Sequence, residues 1–222
     1  MTISLRLVDK PKAIEKAILK SIAQELDGTM SSLVTGIRSD VVEFVGQTVE
    51  NTPAMQGLTE GILRGHFGLS ASRANKAVSA IAESVANTTQ IVPSRVSITG
   101  NSFKGGLTIT VQPDDLSNIL SLPEGKITYN SKLYKGDVTL DWLEWLIEKG
   151  DAVIVSKFDF VLEAGTGRSG LGTMKKEGSL WRVPPSVSGT IDNNFITQAF
   201  VSERISSNML KIIKNGMKKL WG

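Results

Sequence analysis

The chain has 222 residues, of which 41% are hydrophobic and 21% are charged, so it is typical of a globular protein with a sizeable core and not of a disordered one. Its net charge of +3, from 25 basic and 22 acidic residues, is too small to predict nucleic-acid binding. The absence of cysteine and the single histidine, His66, exclude disulfides, a cysteine nucleophile and histidine-rich metal sites. The first residues lack a signal-peptide core and no run of 18 apolar residues occurs, so we expect the protein in the cytoplasm or in an assembly formed there.

The N-terminal segment carries the pattern of an amphipathic helix over residues 11–51, with Asp9 as the N-cap and Pro11 in the first turn. Its apolar stripe consists of Ile14, Ile18, Ile22, Leu26, Met30, Leu33, Ile37, Val41 and Val45. Gly28 and Gly36 interrupt the stripe, so the pattern fits either one long helix or two shorter helices.

Two further helical regions follow. The segment GLTEGILRGHFGLS, residues 57–70, suits short helical turns whose glycines let neighbouring backbones approach closely. The alanine-rich segment 70–87 has one apolar face and predicts another helix. We therefore expect a helical region over residues 1–90 that is integrated, in one domain, with an α+β core over residues 91–222.

From Val92 onward, apolar and polar residues alternate on either side of a glycine-rich loop. The alternating apolar residues are Val96, Ile98, Leu107, Ile109 and Val111. This period of two predicts an antiparallel hairpin with one solvent-exposed face. Pro113, Asp114 and Asp115 then predict the start of a short helix, because carboxylates favour the positive end of a helix dipole.

The C-terminal half alternates between strand and helix signals. A short strand is expected around Ile127 and Tyr129. The segment TLDWLEWLIEK predicts a helix over residues 139–149, with Thr139 as the N-cap and Gly150 as the stop.

The apolar segment 152–162 has the length and alternation of the best strand in the chain. A terminal helix is expected over residues 193–220, with Asp192 as its N-cap. The predicted fold class is therefore α+β, with N-terminal helices, a small and mostly antiparallel β-sheet and a C-terminal helix.

Directly after that strand, Gly165, Gly167 and Gly170 match the letters of a G-x-G-x-x-G fingerprint. A dinucleotide site needs the third glycine to open a helix, but Gly172, Gly178 and two prolines follow and prevent one. No Gly-Lys-Ser/Thr follows either, which excludes a Walker loop. We therefore predict no cofactor.

Catalytic patterns are equally incomplete. The nearest nucleophile elbow, around Ser169, has Leu171 in place of the last glycine, and His66 lies about a hundred residues away. We expect His66 to be a surface or partly packed side chain, and Asp114 and Asp115 to cap a helix. No catalytic and no metal-binding residues are predicted, and the protein is not expected to be an enzyme.

Two apolar features have two interpretations each. Trp142 and Trp145 suit packing against the sheet, or, because their helix is apolar on more than one face, contact with a second chain. The C-terminal lysines suit the solvated end of an amphipathic helix, or contact with a nucleic acid or protein. These lysines are Lys211, Lys214, Lys218 and Lys219.

Several motifs taken together resemble the carboxy-terminal half of a family of tailed-bacteriophage neck proteins, also called tail-completion or head–tail connector proteins. The matching positions are Trp142, Leu143, Trp145 and Leu146; Gly167 to Gly170; Trp181, Val183, Pro184 and Pro185; Gly189 and Thr190; and Asn194, Phe195 and Ile196. The resemblance covers residues 138–200, Thr173 departs from it where the family has an apolar residue, and residues 1–90 match only in being helical.

This resemblance implies a structural virion protein of the neck, where the DNA-filled head meets the tail, built from a long helix and a small antiparallel sheet. It implies a ring of copies of the chain, contacts with a portal-side adaptor protein and with a tail terminator or sheath-end protein, and DNA passing through the lumen without sequence-specific binding. The alternatives are a tail terminator or minor capsid protein of the same virion, a hydrolase or nuclease acting in assembly, and a nucleic-acid-binding module.

The resemblance also suggests a subunit interface around the glycine loop. Its candidate residues are Arg168, Ser169, Trp181, Arg182, Asn194 and Phe195. Arg168 offers a two-pronged guanidinium for a carboxylate of a neighbouring subunit, while Trp181 and the Pro184-Pro185 turn fix the return of the loop to the core. The competing interpretation is an ordinary hairpin loop.

Overall fold

A computed structural model describes residues 10–100, 102–112, 115–131, 135–150, 152–163, 167–176, 178–190 and 192–221. Its helices are α1 (Pro11–Glu50), α2 (Pro53–Thr59), α3 (Ile62–His66), α4 (Ala71–Asn87), α5 (Ser117–Leu120), α6 (Trp142–Ile147), α7 (Phe195–Ala199) and α8 (Glu203–Trp221). Its strands are β1 (Gln90–Thr99), β2 (Ser102–Thr110), β3 (Ile127–Ser131), β4 (Gly136–Leu140), β5 (Val155–Ser156), β6 (Asp159–Leu162), β7 (Gly172–Lys175) and β8 (Leu180–Trp181). The predicted α+β class is confirmed.

Among the described residues, the strands form four two-stranded antiparallel ladders. Strand β1 pairs with β2, β3 with β4, β5 with β8, and β6 with β7. The strand content is therefore divided among several small sheets and does not form one continuous sheet.

The residues group into two compact units. Unit 1 consists of Met1–Asp40, Gln90–Thr110 and Lys211–Gly222, and unit 2 consists of Val41–Thr89 and Val111–Leu210. Each unit draws residues from both sides of the boundary that the sequence suggests near residue 90.

Unit 1 combines part of α1, the β1–β2 hairpin and the end of α8. Gly216 of α8 lies against Ile37 and Leu33, so closely that a Cβ added at Gly216 would be 2.9 Å from Cδ1 of Leu33. The Oδ1 atom of Asp27 accepts a hydrogen bond of 2.9 Å from the backbone N–H of Val96, at the irregularity in β1. These contacts join three segments that are distant in the sequence.

Unit 2 holds most of the buried apolar side chains. Val41, Val45 and Val49 are fully buried and lie four residues apart, which places them on one face of α1. The helix α4 turns an apolar face inward, and its N-cap Ser70 accepts a hydrogen bond from the backbone N–H of Arg73. The predicted helical turns around residues 57–70 and the helix over residues 70–87 are confirmed.

The first helix is continuous from Pro11 to Glu50, so the one-helix interpretation is correct. No atom lies within 4 Å of a Cβ added at Gly28 or Gly36, and both glycines stay in the helix. The predicted N-cap Asp9 lies outside the described residues.

The predicted helix over residues 139–149 is wrong at its start. Thr139 belongs to strand β4, where its hydroxyl lies 2.9 Å from that of Thr128 on β3. The helix α6 begins only at Trp142, with Asp141 as the N-cap residue. The β-branched Thr139 is stabilised by its cross-strand partner, a contact that local sequence does not reveal.

The predicted strand over residues 152–162 is interrupted. Lys157 has a φ of 64°, which breaks the extended backbone between β5 and β6. The two pieces then pair with different strands, β5 with β8 and β6 with β7.

The predicted terminal helix over residues 193–220 is two helices, α7 and α8, and Asp192 is not its cap. Asn194 caps α7 instead, because its side-chain oxygen accepts hydrogen bonds from the backbone N–H groups of Ile196 and Thr197. The hydroxyl of Thr197 accepts a hydrogen bond from the backbone N–H of Asn194 and completes a capping box.

Candidate functional site

Six aromatic side chains of unit 2 form an aromatic cluster: His66, Phe67, Trp142, Trp145, Phe160 and Trp181. The ring centroids of His66 and Phe160 are 4.8 Å apart, and those of Trp145 and Trp181 are 6.2 Å apart, both in edge-to-face geometry. Trp142 is fully buried against Phe67, which confirms core packing for that residue, whereas Trp145 is half-buried. The cluster joins α3, α6, β6 and β8.

A cavity of about 400 Å³, the aromatic cavity, opens beside this cluster within unit 2. Its walls include His66, Trp145, Phe160 and Trp181, together with the apolar side chains of Leu140, Val155 and Met174. Arg168 is the one lining residue that carries a fixed charge among those that the structure describes. The cavity is therefore lined by aromatic and apolar side chains and by the polar Ser169 and Thr173, with a single cation at its wall.

The Arg168 guanidinium lies over the ring of Tyr129, with Cζ 3.8 Å from the ring centroid. Gly68 makes room for it: a Cβ added at Gly68 would be 2.8 Å from Nη2 of Arg168, and the φ of 67° at Gly68 is itself unfavourable for other residues. No described residue accepts a hydrogen bond from this guanidinium or forms an ion pair with it. Arg168 is thus held in place by stacking, while its N–H groups remain available.

His66 is partly packed, as the sequence predicts. Burial lowers the pKa of His66, so its imidazole is neutral at neutral pH. Its Nδ1 and the indole Nε1 of Trp181 are buried and make no hydrogen bond within the described part of the chain. No described carboxylate or hydroxyl orients the imidazole as a general base would require.

Asp115 is not among the residues that line the aromatic cavity. Asp114 and Pro113 lie outside the described residues. The Oδ1 atom of Asp115 accepts a hydrogen bond of 3.0 Å from the backbone N–H of Ser117 at the start of α5. Hydrogen bonds from Ser117 lower the pKa of Asp115. The N-cap position of α5 is occupied by Leu116, so the expectation that Asp115 caps this helix is wrong, although Asp115 lies directly before that position.

The glycine loop joins β6 to β7 as the connection of an antiparallel hairpin. Gly172 begins β7, so the loop leads into a strand and not into the helix that a dinucleotide site requires. Gly165 lies outside the described residues. The predicted absence of a helix after this loop is confirmed.

The six candidate interface residues divide into two groups. Trp181 and Phe195 are each 7% exposed and Asn194 is 1% exposed, so these three are packed inside unit 2 and offer little surface to a partner. Arg168 and Arg182 are exposed and Ser169 is half-buried, with its Oγ accepting a hydrogen bond from the backbone N–H of Leu171. Of the six, Arg168, Ser169 and Arg182 are therefore the residues with surface exposure.

Sequence reasoning missed an apolar surface in unit 1. The alternation in β1 and β2 predicted one exposed face, but both faces of the hairpin are largely exposed. Ile98 and Phe103 are directly opposite each other across the hairpin and are 36% and 39% exposed, and Val92 is 53% exposed. Opposite residues share one face of a hairpin, so Ile98 and Phe103 form an apolar pair in solvent.

The C-terminal end of α8, also in unit 1, carries further exposed apolar side chains. Leu220 and Trp221 are exposed, next to the exposed lysines Lys218 and Lys219. The Nζ atom of Lys219 lies 4.0 Å from the Oδ2 atom of Asp40. The predicted amphipathic helix is present, and its end carries apolar as well as basic side chains in solvent.

Among the described residues, no group of three or more histidine or acidic side chains is placed to hold a metal ion. A search of the described helices found none that is long and apolar enough to cross a membrane. Comparisons of the chain with protein-family models, with curated proteins and with solved structures found no match in any of the three.

Proposed function

We propose that this protein is a structural virion component of a bacteriophage neck, an oligomeric head–tail connector or tail-completion subunit that joins the head connector to the tail. Its partners are copies of itself, a portal-side adaptor protein and a tail terminator or sheath-end protein. It acts through complementary surfaces and not through chemistry, and DNA passes through the lumen of the ring without sequence-specific binding.

The positions of the family-like motifs support this proposal. Trp142 and Trp145 of α6 lie in the aromatic cluster with Trp181 of β8, although the two motifs are far apart in the sequence. A Cβ added at Gly189 would lie 2.7 Å from Cα of Asn194, so the G-T and N-F-I motifs are also in close contact. The contact between α6 and β8 is therefore the long-range one among these motifs.

The single observation that carries the assembly role is the exposed apolar surface of unit 1. A two-stranded hairpin is marginally stable in water unless a further surface covers one of its faces. Val92, Ile98 and Phe103 leave apolar area exposed on this hairpin, and apolar patches in solvent mark protein contacts. A second polypeptide that covered this area would remove the unfavourable hydration.

The arrangement of charge favours a protein partner over nucleic acid for this surface. The chain has a net charge of only +3, and one of the C-terminal lysines, Lys219, lies near Asp40. An apolar hairpin in a nearly neutral protein suits contact with protein and tolerates DNA nearby without tight binding.

The test is self-association of the full chain, measured by size-exclusion chromatography with light scattering at rising concentration. The double variant Ile98→Asp, Phe103→Asp places two charges on the apolar pair and should weaken self-association at least about tenfold, because charged groups are costly at the core of an interface.

The matched control is Ser97→Asp, Ser102→Asp, which adds the same charge on the opposite face of the same hairpin. It should self-associate like the natural chain. Equal behaviour of the two double variants would contradict the assignment of the Ile98 and Phe103 face as the contact surface.

A further inference from the structure

We propose that the aromatic cavity of unit 2 is a receptor for an acidic side chain that another polypeptide presents beside an apolar residue. This inference rests on the proposed function, because it takes the occupant to be a partner protein. It assigns the chemistry of one contact of that protein to a defined site.

The first argument is the state of Arg168. The Cζ atom of Arg168 lies 3.8 Å from the centroid of the Tyr129 ring, and this cation–π contact restrains the guanidinium. No described residue uses these donors. A planar guanidinium that such a contact restrains is suited to a two-pronged bond with a carboxylate, because less rotamer entropy is lost on binding.

The second argument is the imbalance of charge at the cavity wall. Arg168 is a cation, and no aspartate or glutamate is among the described lining residues. A wall with a cation but no acid is complementary to an anion that brings acceptor oxygens.

The third argument is the size and lining of the cavity. Its volume of about 400 Å³ lies in the range of sites for small ligands, so it can hold one or two side chains but not a folded element. Leu140, Val155 and Met174 provide an apolar wall for the hydrocarbon part of the occupant. In a pair of an acidic and an apolar residue, the carboxylate can bind the Arg168 guanidinium and the apolar side chain can pack against this wall.

This chain itself displays such a pair. Leu162 is 53% exposed and is followed by the exposed Glu163 at the end of β6. The capped dipeptide acetyl-Leu-Glu-amide is therefore a natural probe, and acetyl-Leu-Gln-amide is its uncharged match.

The experiment titrates these dipeptides into the ¹⁵N-labelled full chain at a concentration where light scattering detects only monomer. The indole N–H signal of Trp181 is the reporter. The signal of Trp142 is the internal control, because its Nε1 donates a hydrogen bond of 3.1 Å to the backbone oxygen of Glu124 and the residue does not line the cavity. We expect the Leu-Glu dipeptide to shift the Trp181 signal and the Leu-Gln dipeptide to have a much smaller effect.

Arg168→Gln should weaken Leu-Glu binding about 10-fold to 100-fold, as expected for the loss of a charged hydrogen bond. The affinity of Arg168→Lys for the Leu-Glu dipeptide should lie between those of the natural chain and Arg168→Gln, because lysine keeps the charge but not the planar guanidinium. Arg73→Gln, at an exposed position on α4, should bind like the natural chain, and an unchanged Trp142 signal shows that each variant is folded.

Absence of a Trp181 shift, or an equal shift with Leu-Gln, would overturn this inference. The result is independent of the self-association test: a chain that oligomerises without binding the dipeptide loses only the cavity assignment. If the chain binds the dipeptide but stays monomeric, only the proposed ring is contradicted.

Discussion

At the scale of single residues, three glycines within helices differ in how closely the surrounding atoms pack against them. Gly36 is exposed in α1 with nothing within 4 Å of an added Cβ, whereas Gly216 in α8 is pressed against Leu33 and Ile37. Gly28 resembles Gly36 in having free space. Of these three glycines, Gly216 is therefore the one that close packing requires.

We expect Gly36→Ala to raise the free energy of unfolding by about 0.5 to 1 kcal/mol, because alanine loses less backbone entropy in a helix. Gly216→Ala should lower the free energy of unfolding by about 1 to 3 kcal/mol, because the added methyl group overpacks the contact with Ile37. Urea unfolding of both variants measures the difference. Stabilisation of the chain by Gly216→Ala would contradict the close contact in unit 1.

His66 gives a pH dependence of stability. Burial lowers the pKa of His66 below its usual 6.5, so the unfolded chain binds a proton more readily than the folded one. The contribution to stability is therefore complete above the unfolded pKa and is lost as the pH falls through about 6.5 towards the lower folded pKa.

The measurement is the urea midpoint at about pH 7.5 and about pH 5.5, a window above the usual titration of carboxylates. The urea midpoint of the natural chain should be lower at the acidic pH than at the higher pH. The same decrease should be smaller in His66→Asn. An equal fall in both proteins would show that His66 does not account for the pH dependence.

At the scale of elements, the capping box of α7 should contribute more to the free energy of unfolding than an exposed helix cap does. Asn194 is buried and accepts hydrogen bonds from the backbone N–H groups of Ile196 and Thr197, whereas Ser70 caps α4 at the surface. Asn194→Ala should lower the free energy of unfolding by about 2 to 3 kcal/mol, because it leaves buried donors unpaired. Ser70→Ala should cost about 0.5 to 1 kcal/mol, and similar losses in urea unfolding would contradict the burial of the α7 cap.

The elements that could be predicted from the sequence are those whose signal is local. The spacing of Ile37, Val41 and Val45 predicts α1, and the alternation around Ile98 and Ile109 predicts the β1–β2 hairpin. The start of α6 could not be predicted, because Thr139 is suited to both a strand and a helix cap, and its pairing with β3 decides between them.

The candidate site was predictable only in part. The sequence singles out Arg168 and Trp181, but not that Arg168 stacks on Tyr129 or that Trp181 meets His66 at 5.7 Å. These contacts join strands and helices that are far apart in the chain, so no local pattern contains them. Burial of Asn194 and Phe195 likewise depends on tertiary packing, which is why both could be mistaken for surface residues.

At the scale of the whole molecule, the two units differ in how well they bury apolar area. Unit 2 contains the aromatic cluster and most fully buried side chains, although it also exposes Leu162, Leu180 and Val201. Unit 1 has few buried side chains and leaves Ile98, Phe103 and Trp221 in solvent. A protein that functions alone gains nothing from that exposure, but a subunit of an assembly can cover it with a neighbour. The central claim is therefore that this chain functions by assembling with other polypeptides.

The most direct test of this claim is sedimentation equilibrium of the natural chain over a wide range of concentration. If the chain forms a closed ring, the measured molar mass should rise with concentration from that of one 23.9 kDa chain to a plateau at a fixed multiple of it. The plateau is expected because a closed ring leaves no contact surface free for further chains. Salt should change this transition little, since apolar contacts carry it. A mass of one chain at every concentration, or growth without a plateau, would contradict the account.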